Sequence, residues 1–353
     1  MKRTRIVRLA FILIALMMVA TYAQAEEVSK AGTTSAAFLK IGVGSRGISM
    51  GESQVATSEG AASLYWNPAG LAGMSSPQVI LNHYDYIADM NFDYIGVIIP
   101  LGEIGTFGAS FTSLSMDDIE RTTVLEPEGT RELVSAGMWA AGLSYGRALT
   151  DRFRFGGSIK YITESLWHTS ANTVAADVGL LYRTLWRDMR LGMSISNFGS
   201  GMQLSGQDLL LQVDVDPTSA GNNESTNANL ETDEFPLPIL FRVGLASNIT
   251  RDFLGLNNHD LIVEINAVHP NDDHEYINLG MEYEAFGTVA VRAGYRKMFL
   301  GGQMFPEDSQ GGLNLGAGVN LNVSGFNLRL DYARADYGIL DFQNKFTLQT
   351  PNT

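Results

Sequence analysis

Hydrophobic and polar residues alternate along most of the chain after residue 76. In the stretch 274–285, for example, Leu279 and Met281 alternate with Asn278 and Glu282. A period of two places each set on its own side of a β-sheet. The pattern predicts fourteen β-strands, at residues 77–88, 91–100, 105–115, 134–147, 152–167, 171–184, 188–198, 239–249, 258–269, 274–285, 288–297, 310–322, 325–335 and 341–349.

The gaps between these segments tend to alternate between short and long. Every second gap is a short turn, whereas the others include the long segments 116–133, 199–238 and 298–309, with 270–273 as a short exception. Tight turns on one side and longer loops on the other are typical of barrels that cross an outer membrane. We therefore predict an all-β fold, an antiparallel transmembrane β-barrel of about fourteen strands over 77–353.

A soluble barrel or sandwich would alternate in the same way, with its polar face outward. Many predicted strands approach the ~9–11 residues that cross a bilayer at a tilt, which favours a membrane barrel with its polar face inward. The polar face also holds side chains of both signs, which can pair across a lumen. The charged residues predicted to face the lumen are Arg242, Glu264, Glu282, Arg292, Arg329 and Asp331.

The N-terminus has the features of an export signal. Residues 1–8 include four basic side chains, an apolar run covers 9–20, and Ala23-Gln24-Ala25 forms a small-x-small cleavage pattern. These features predict a cleaved secretory signal peptide at 1–25. An uncleaved membrane anchor is the alternative, but the apolar run is shorter than the ~20 residues that a membrane helix needs. We expect a bacterial outer-membrane location, in contact with outer-membrane lipid.

Composition limits the chemistry. The chain has no Cys, so neither disulfides nor thiolate metal sites are available. Its net charge of −14 makes nucleic acid an improbable partner. The loop 199–238 is rich in acidic residues that suit Ca²⁺, but it has no EF-hand register, so a solvated loop is favoured over a metal site. None of the five His lies in a nucleophile motif, so we predict a protein without catalytic residues or cofactors.

Residues 26–76 precede the first strand and are available as a plug for the lumen. Their apolar residues call for burial, which favours a plug over a disordered tail. The Gly42-x-Gly44-x-x-Gly47 pattern matches a dinucleotide fingerprint but lacks the preceding strand, so close packing of the plug is the better interpretation. Asn67-Pro68 predicts a tight turn, with a movable hinge as the alternative.

The long loop 199–238 contains an apolar strip. Its members are Leu209, Leu210, Leu211 and Val213. The strip either covers the mouth of the barrel or contacts a cargo protein, and the sequence leaves both interpretations open.

One stretch of the plug resembles a known family. Residues 38–47 read Phe-Leu-Lys-Ile-Gly-Val-Gly-Ser-Arg-Gly, and 60–72 read Gly-Ala-Ala-Ser-Leu-Tyr-Trp-Asn-Pro-Ala-Gly-Leu-Ala. Together with shorter stretches at 91–94, 175–182 and 292–296, they resemble the PorV/PorQ family, a branch of the FadL-like outer-membrane transport barrels. The most specific part is the plug motif Asn67, Pro68, Ala69 and Gly70, which Leu71 follows.

The resemblance implies a fourteen-stranded barrel with its N-terminal segment in the lumen, and two candidate roles. PorV-like proteins handle cargo proteins in type IX secretion, so secretion components and cargo are the implied partners. FadL-like proteins pass hydrophobic molecules, such as long-chain fatty acids, across the outer membrane. Secretion-linked cargo handling is the leading expectation, and transport of a hydrophobic ligand is the alternative. The overhang 351–353 departs from barrels that end on an aromatic residue.

Overall fold

The structure is a computed structural model that describes residues 30–350 except 217, 219–224, 257–258, 307–309, 324 and 339–340. The predicted signal peptide at 1–25 and the first residues of the predicted plug lie outside the described residues. No helix among the described residues is both long and apolar enough to cross a membrane.

Fourteen antiparallel strands form a closed barrel in the described part of the chain. Each strand pairs with its sequence neighbours, and β1 pairs with β14 to complete the ring. The strands are β1 Gln78–Asp85, β2 Asn91–Pro100, β3 Thr106–Ser115, β4 Ala136–Ala148, β5 Phe153–Leu166, β6 Thr169–Arg183, β7 Arg190–Gly199, β8 Leu240–Asn248, β9 His259–Pro270, β10 Tyr276–Ala285, β11 Val289–Leu300, β12 Leu313–Val323, β13 Phe326–Asp336 and β14 Phe342–Gln349. The predicted fourteen-stranded antiparallel barrel is confirmed.

Boundaries differ from the prediction by a few residues at most. The second segment matches β2 at both ends, whereas β11 continues to Leu300, past its predicted end at 297. The predicted gap between β5 and β6 is a two-residue turn at Trp167–His168, so this loop is short on the side where the alternation of gap lengths favours long ones. The three long loops therefore lie on the predicted side, but this hairpin and the connections 86–90 and 271–275 on the same side are as short as the opposite turns.

The polar faces of the strands point inward. On β9, Glu264 and Asn266 are fully buried, whereas the intervening Ile265 is 42% exposed. The same pattern holds on β10, where Glu282 is buried and Met281 is exposed. Apolar side chains on the outside and polar ones inside are the arrangement of a barrel surrounded by lipid, not of a soluble one.

The segment that precedes β1 folds into five short helical turns. These are the 3₁₀-helices Ala37–Lys40, Gly60–Ala62 and Pro68–Leu71 and the α-helices α1 Ser45–Ser49 and α2 Ser63–Trp66. Most of its side chains are buried, including the whole indole of Trp66, which donates a hydrogen bond from Nε1 to the carbonyl of Val43 at 2.8 Å. We call residues 30–76 the N-terminal segment.

The loops contain small elements of their own. Two-residue strands pair as Ile119–Glu120 with Leu133–Val134 and as Met202–Gln203 with Glu234–Phe235. Ser205–Gly206 pairs with β6, Gln303–Met304 pairs with β11, and Leu210–Val213 forms a hairpin with Thr226–Asn229. The remaining helical turns are Ile87–Asp89, Gly102–Ile104, Gln207–Leu209 and a π-helical turn at Thr250–Leu254.

Candidate functional site

A cluster of buried charges joins the N-terminal segment to the barrel wall. Glu282 of β10 accepts hydrogen bonds from Arg46 at 2.7 and 2.9 Å and from Arg292 of β11 at 2.5 Å. Arg292 also donates to Asp331 of β13 at 2.8 Å, and Arg329 lies 3.2 Å from the same carboxylate. Four of the six predicted lumen-facing residues therefore meet in one cluster.

The cluster is balanced in charge. Arg46, Arg292 and Arg329 face the carboxylates of Glu282 and Asp331 and, at 3.3 Å from Arg329, the carboxylate of Glu284. Burial alone would lower the pKa of the Arg46 guanidinium, but Glu282 raises that pKa above its usual value. Arg46 therefore stays cationic and ties α1 to the wall by a bidentate ion pair.

Glu264 binds the N-terminal segment in a different way. Its carboxylate accepts the backbone N–H groups of Ala56 at 2.8 Å and Thr57 at 3.0 Å, together with the Thr57 hydroxyl at 2.5 Å. Glu264 is fully buried on β9. The wall thus satisfies backbone donors of the segment that its own short helical turns leave free.

Arg242, the sixth predicted residue, lies under the aromatic side chains of α2. Its guanidinium is 5.8 Å from the ring centroids of both Tyr65 and Trp66, and it donates to Ser196 at 3.2 Å. A cavity of about 30 Å³ adjoins these residues, and its lining includes the ion pair of Lys160 with Asp177 at 2.9 Å. This volume suits one or two water molecules rather than an organic ligand.

The plug motif is buried against strands β4 to β6. Asn67 donates from its side-chain amide to the carbonyls of Val55 and Leu180, at 3.0 and 3.1 Å, and its Oδ1 accepts the N–H of Ala69 at 3.1 Å. The last contact caps the 3₁₀-helix that begins at Pro68. The motif therefore forms the predicted tight turn and also bonds directly to the backbone of β6.

Small residues in the wall make this close approach possible. Gly146, Gly156 and Gly179 pair with one another across β4, β5 and β6 and form one row under the motif. A Cβ at Gly156 would overlap the carbonyl group of Pro68, and a Cβ at Gly179 would overlap the Asn67 side chain. Glycine is thus required here because two backbones lie in contact.

The base of the long outer loop covers the N-terminal segment. Met202 and Leu237 are buried in the same hydrophobic cluster as Phe38 and Leu39. The N–H of Ser35 donates to the carbonyl of Pro236 at 3.0 Å. The loop is therefore attached to the segment at its base.

The predicted apolar strip lies farther out in the same loop. Leu210, Leu211 and Val213 are 49%, 50% and 41% exposed, and Leu209 is half-buried in the preceding turn. Leu210, Leu211 and Val213 belong to the hairpin that Leu210–Val213 forms with Thr226–Asn229, which we call the outer hairpin. The outer hairpin pairs with no other strand that the structure describes. The strip is exposed, while Met202 and Leu237 make the contacts at the mouth.

The described residues offer little for metal or acid–base chemistry. No group of three or more His, Asp or Glu side chains among them is placed to hold a metal ion. His83 and His269 each contact one carboxylate, Asp93 and Glu275, on exposed surfaces.

Several residues that position the site had escaped prediction. Arg46 supplies the bidentate partner of Glu282, and Met202 and Leu237 pack on the segment from the outer loop. A signal existed for Leu237, an apolar residue between Pro236 and Pro238 at the end of a polar loop. No local pattern distinguishes Arg46 from other basic residues in the chain.

Comparisons with known proteins agree with this architecture. The sequence model of a family described as type IX secretion system protein PorV matches residues 23–203. The crystal structure of the toluene transporter TbuX from Ralstonia pickettii has a TM-score of 0.52 at 12% identity and covers 88% of this chain and 99% of its own. The CymD monoaromatic hydrocarbon channel has a TM-score of 0.51 at 13% identity, with coverage of 88% and 96%. No curated protein sequence matches the chain.

Proposed function

Because the chain belongs to the PorV family of outer-membrane β-barrel proteins, we propose that it handles cargo proteins of type IX secretion at the outer membrane. The family match covers residues 23–203, which include the N-terminal segment and strands β1 to β7. In this role the barrel is a docking platform, and its loops contact the cargo.

The observation that carries this proposal is the outer hairpin. Its apolar side chains, Leu210, Leu211 and Val213, are exposed, and its strand edges have no partner among the described residues. Exposed apolar side chains next to free strand edges suit the addition of a strand from another protein. The hairpin is anchored by the buried base of its loop, so a bound cargo would be held at the mouth of the barrel.

The N-terminal segment acts as a plug in this proposal. Buried ion pairs and backbone contacts bind it to strands around the ring, through Arg46, Ala56 and Asn67. The adjacent cavity of about 30 Å³ is lined in part by charged residues. Both features support a barrel that is closed to solutes in this conformation.

Transport of a hydrophobic small molecule is the second candidate. The fold similarity to a toluene transporter and to a monoaromatic hydrocarbon channel favours it. At 12% and 13% identity this similarity extends to the fold alone. The cavity of about 30 Å³ beside Arg242 is too small for such a ligand, so transport past this point would require the N-terminal segment to move.

The test removes the apolar strip without removing the loop. We expect Leu211→Asn with Val213→Asn to weaken association with secreted cargo at least tenfold, since each buried aliphatic side chain contributes roughly 1.5–3 kcal/mol. Gln212→Asn, between them in the same strand, is the matched control. Association is measured by mass spectrometry of proteins that co-purify from gently extracted outer membranes, and barrel assembly is checked by heat-modifiable gel migration.

Three outcomes separate the candidates. Loss of cargo in the double variant, with cargo retained in the control, supports cargo handling through the outer hairpin. Equal cargo in both variants contradicts the role given to the hairpin. A stoichiometric hydrophobic ligand without any co-purifying secreted protein would instead favour the transporter.

A further inference from the structure

A row of arginines lies at the short-turn end of the barrel, outside the sites described above. Arg183 at the end of β6 and Arg190 at the start of β7 are direct cross-strand partners. The N–H of Arg183 donates to the carbonyl of Arg152, which places the three arginines side by side. Arg154 follows on β5, beside the same end of β6. Like charges directly opposite one another destabilise a sheet, so the row calls for a compensating anion.

Among the described residues, most of these guanidinium groups have no hydrogen-bonding or ion-pair partner. Arg152 donates to the Thr184 carbonyl at 2.8 Å and pairs with Asp188 at 3.2 Å. In contrast, the side chains of Arg154, Arg183 and Arg190 make no hydrogen bond or ion pair with any residue that the structure describes. This local concentration of positive charge contrasts with the chain as a whole, which has a net charge of −14.

These arginines line a pocket whose other wall is the N-terminal segment. The pocket also includes Ser58 and Glu59, and Asp151 lies at its edge. Four guanidinium groups therefore face two carboxylates, both on exposed residues. Arg154 and Arg190 are each two residues from Gly156 and Gly192, on the inward side of their strands, so the pocket opens inside the barrel wall.

A second observation points to a ligand. The hydroxyl of Ser58 is buried, lines this pocket and has no hydrogen-bond partner. A buried hydroxyl without a partner is destabilising, so a ligand oxygen that accepts its hydrogen bond would remove that cost. The donors in the pocket are thus several guanidinium groups and one hydroxyl, a set that suits an oxyanion.

We propose that this arginine pocket binds a phosphate group. Guanidinium forks match phosphate oxygens in geometry, and a phosphate anion offsets the excess positive charge that Arg154, Arg183 and Arg190 leave in the pocket. The volume of about 70 Å³ corresponds to roughly five water molecules, enough for one phosphate group but not for a nucleotide. The phosphate comes either from a phospholipid headgroup at the end of the barrel or from free phosphate. This site is independent of cargo handling.

The experiment measures phosphate binding to the purified full-length barrel. Inorganic phosphate is titrated by calorimetry in detergent, and phosphatidylglycerol retention is measured by native mass spectrometry after extraction. We expect Arg154→Gln and Arg190→Gln each to weaken binding at least tenfold, because each removes charge-assisted hydrogen bonds. Ser58→Ala should weaken binding several-fold. Arg147→Gln is the control, since Arg147 pairs with the outward-facing Phe155 at the same end of the barrel.

The two sources of phosphate give different results. Saturable binding of inorganic phosphate that the Arg154 and Arg190 variants lose assigns the pocket to free phosphate. Retention of phosphatidylglycerol that the same variants lose assigns it to a lipid headgroup. The proposal is overturned if neither probe binds, or if Arg147→Gln reduces binding as much as the pocket variants do. Heat-modifiable migration verifies that each variant forms the barrel.

Discussion

The buried charge cluster gives the sharpest test of how the N-terminal segment is held. The perturbation is Glu282→Gln, which keeps the size of the side chain and removes its charge. Glu282 contacts Arg46 at 2.7 Å, Arg292 at 2.5 Å and Arg329 at 3.7 Å. The substitution leaves three guanidinium groups with one carboxylate fewer, and Arg46 loses its only ion-pair partner among the described residues.

The expected cost follows from the burial of each partner. Breaking a buried ion pair by removing one charge costs about 3–5 kcal/mol. Arg292 keeps its contact with Asp331, and 17% of the Arg46 side chain reaches solvent, so both guanidinium groups are partly compensated. We therefore expect the lower end of the range, about 3 kcal/mol of unfolding free energy.

Glu284→Gln is the matched control. Glu284 follows on the same strand and the same face, its side chain is 21% exposed, and it makes one ion pair, with Arg329 at 3.3 Å. A partly exposed pair of this kind contributes about 0–1 kcal/mol. The two substitutions are chemically identical, so the difference between them isolates the effect of burial.

Two measurements report the result. Urea unfolding of the purified barrel gives the free energy of unfolding, and limited proteolysis with mass spectrometry follows release of residues 30–76. We expect Glu282→Gln to lower the unfolding free energy and to expose the segment to protease, whereas Glu284→Gln changes both only slightly. If the two variants behave alike, the cluster does not hold the segment and the reasoning from burial is refuted.

Two further predictions concern the wall and the outer mouth. Gly156→Ala should destabilise the barrel by about 1–3 kcal/mol, because the added Cβ would overlap the Pro68 carbonyl. Gly157→Ala is the control and should leave stability unchanged, because its Cβ would have its nearest contact at 3.4 Å. Equal urea midpoints for the two variants would contradict this prediction. Burial alone would raise the pKa of the Asp273 carboxyl, but the Lys297 ammonium at 2.7 Å lowers that pKa below its usual value. The ion pair therefore stabilises the fold at pH values above the ordinary Asp pKa, and this stabilisation is lost as the pH falls through the lowered pKa. Hydrogen exchange at 271–275 should therefore separate Asp273→Asn from wild type at pH 7, and the difference should shrink below about pH 4; a difference independent of pH would oppose it.

Local pattern was enough to predict the wall of the barrel. Alternation is imposed by neighbours in the chain, because successive side chains of a strand point to opposite faces. All fourteen predicted segments therefore became strands, and the inward placement of Glu264 and Glu282 follows from parity within single strands. The three-residue gap predicted at 168–170 is a two-residue turn at Trp167–His168, because turn length depends on how two strands meet, not on either strand alone.

The contacts within the lumen could not be predicted in this way. Arg46 and Glu282 are 236 positions apart, and no local period connects them. The path of the N-terminal segment brings Arg46 and Glu282 together. That path depends on which positions of the barrel wall are glycine, because only there can the backbone of the segment lie against the backbone of the wall. The glycines were visible in the sequence, but their alignment across β4 to β6 required the register.

The sequence by itself thus determined the β-barrel architecture and the resemblance to the PorV family, because each rests on residues close together in the chain. Tertiary structure alone decided which charges pair, which apolar residues of the outer loop are buried at its base, and that Arg183 faces Arg190 across two strands. These features depend on strand register and on the route of the N-terminal segment. Both are set by packing between residues far apart in sequence, and the local alternation of hydrophobic and polar residues carries no information about that packing.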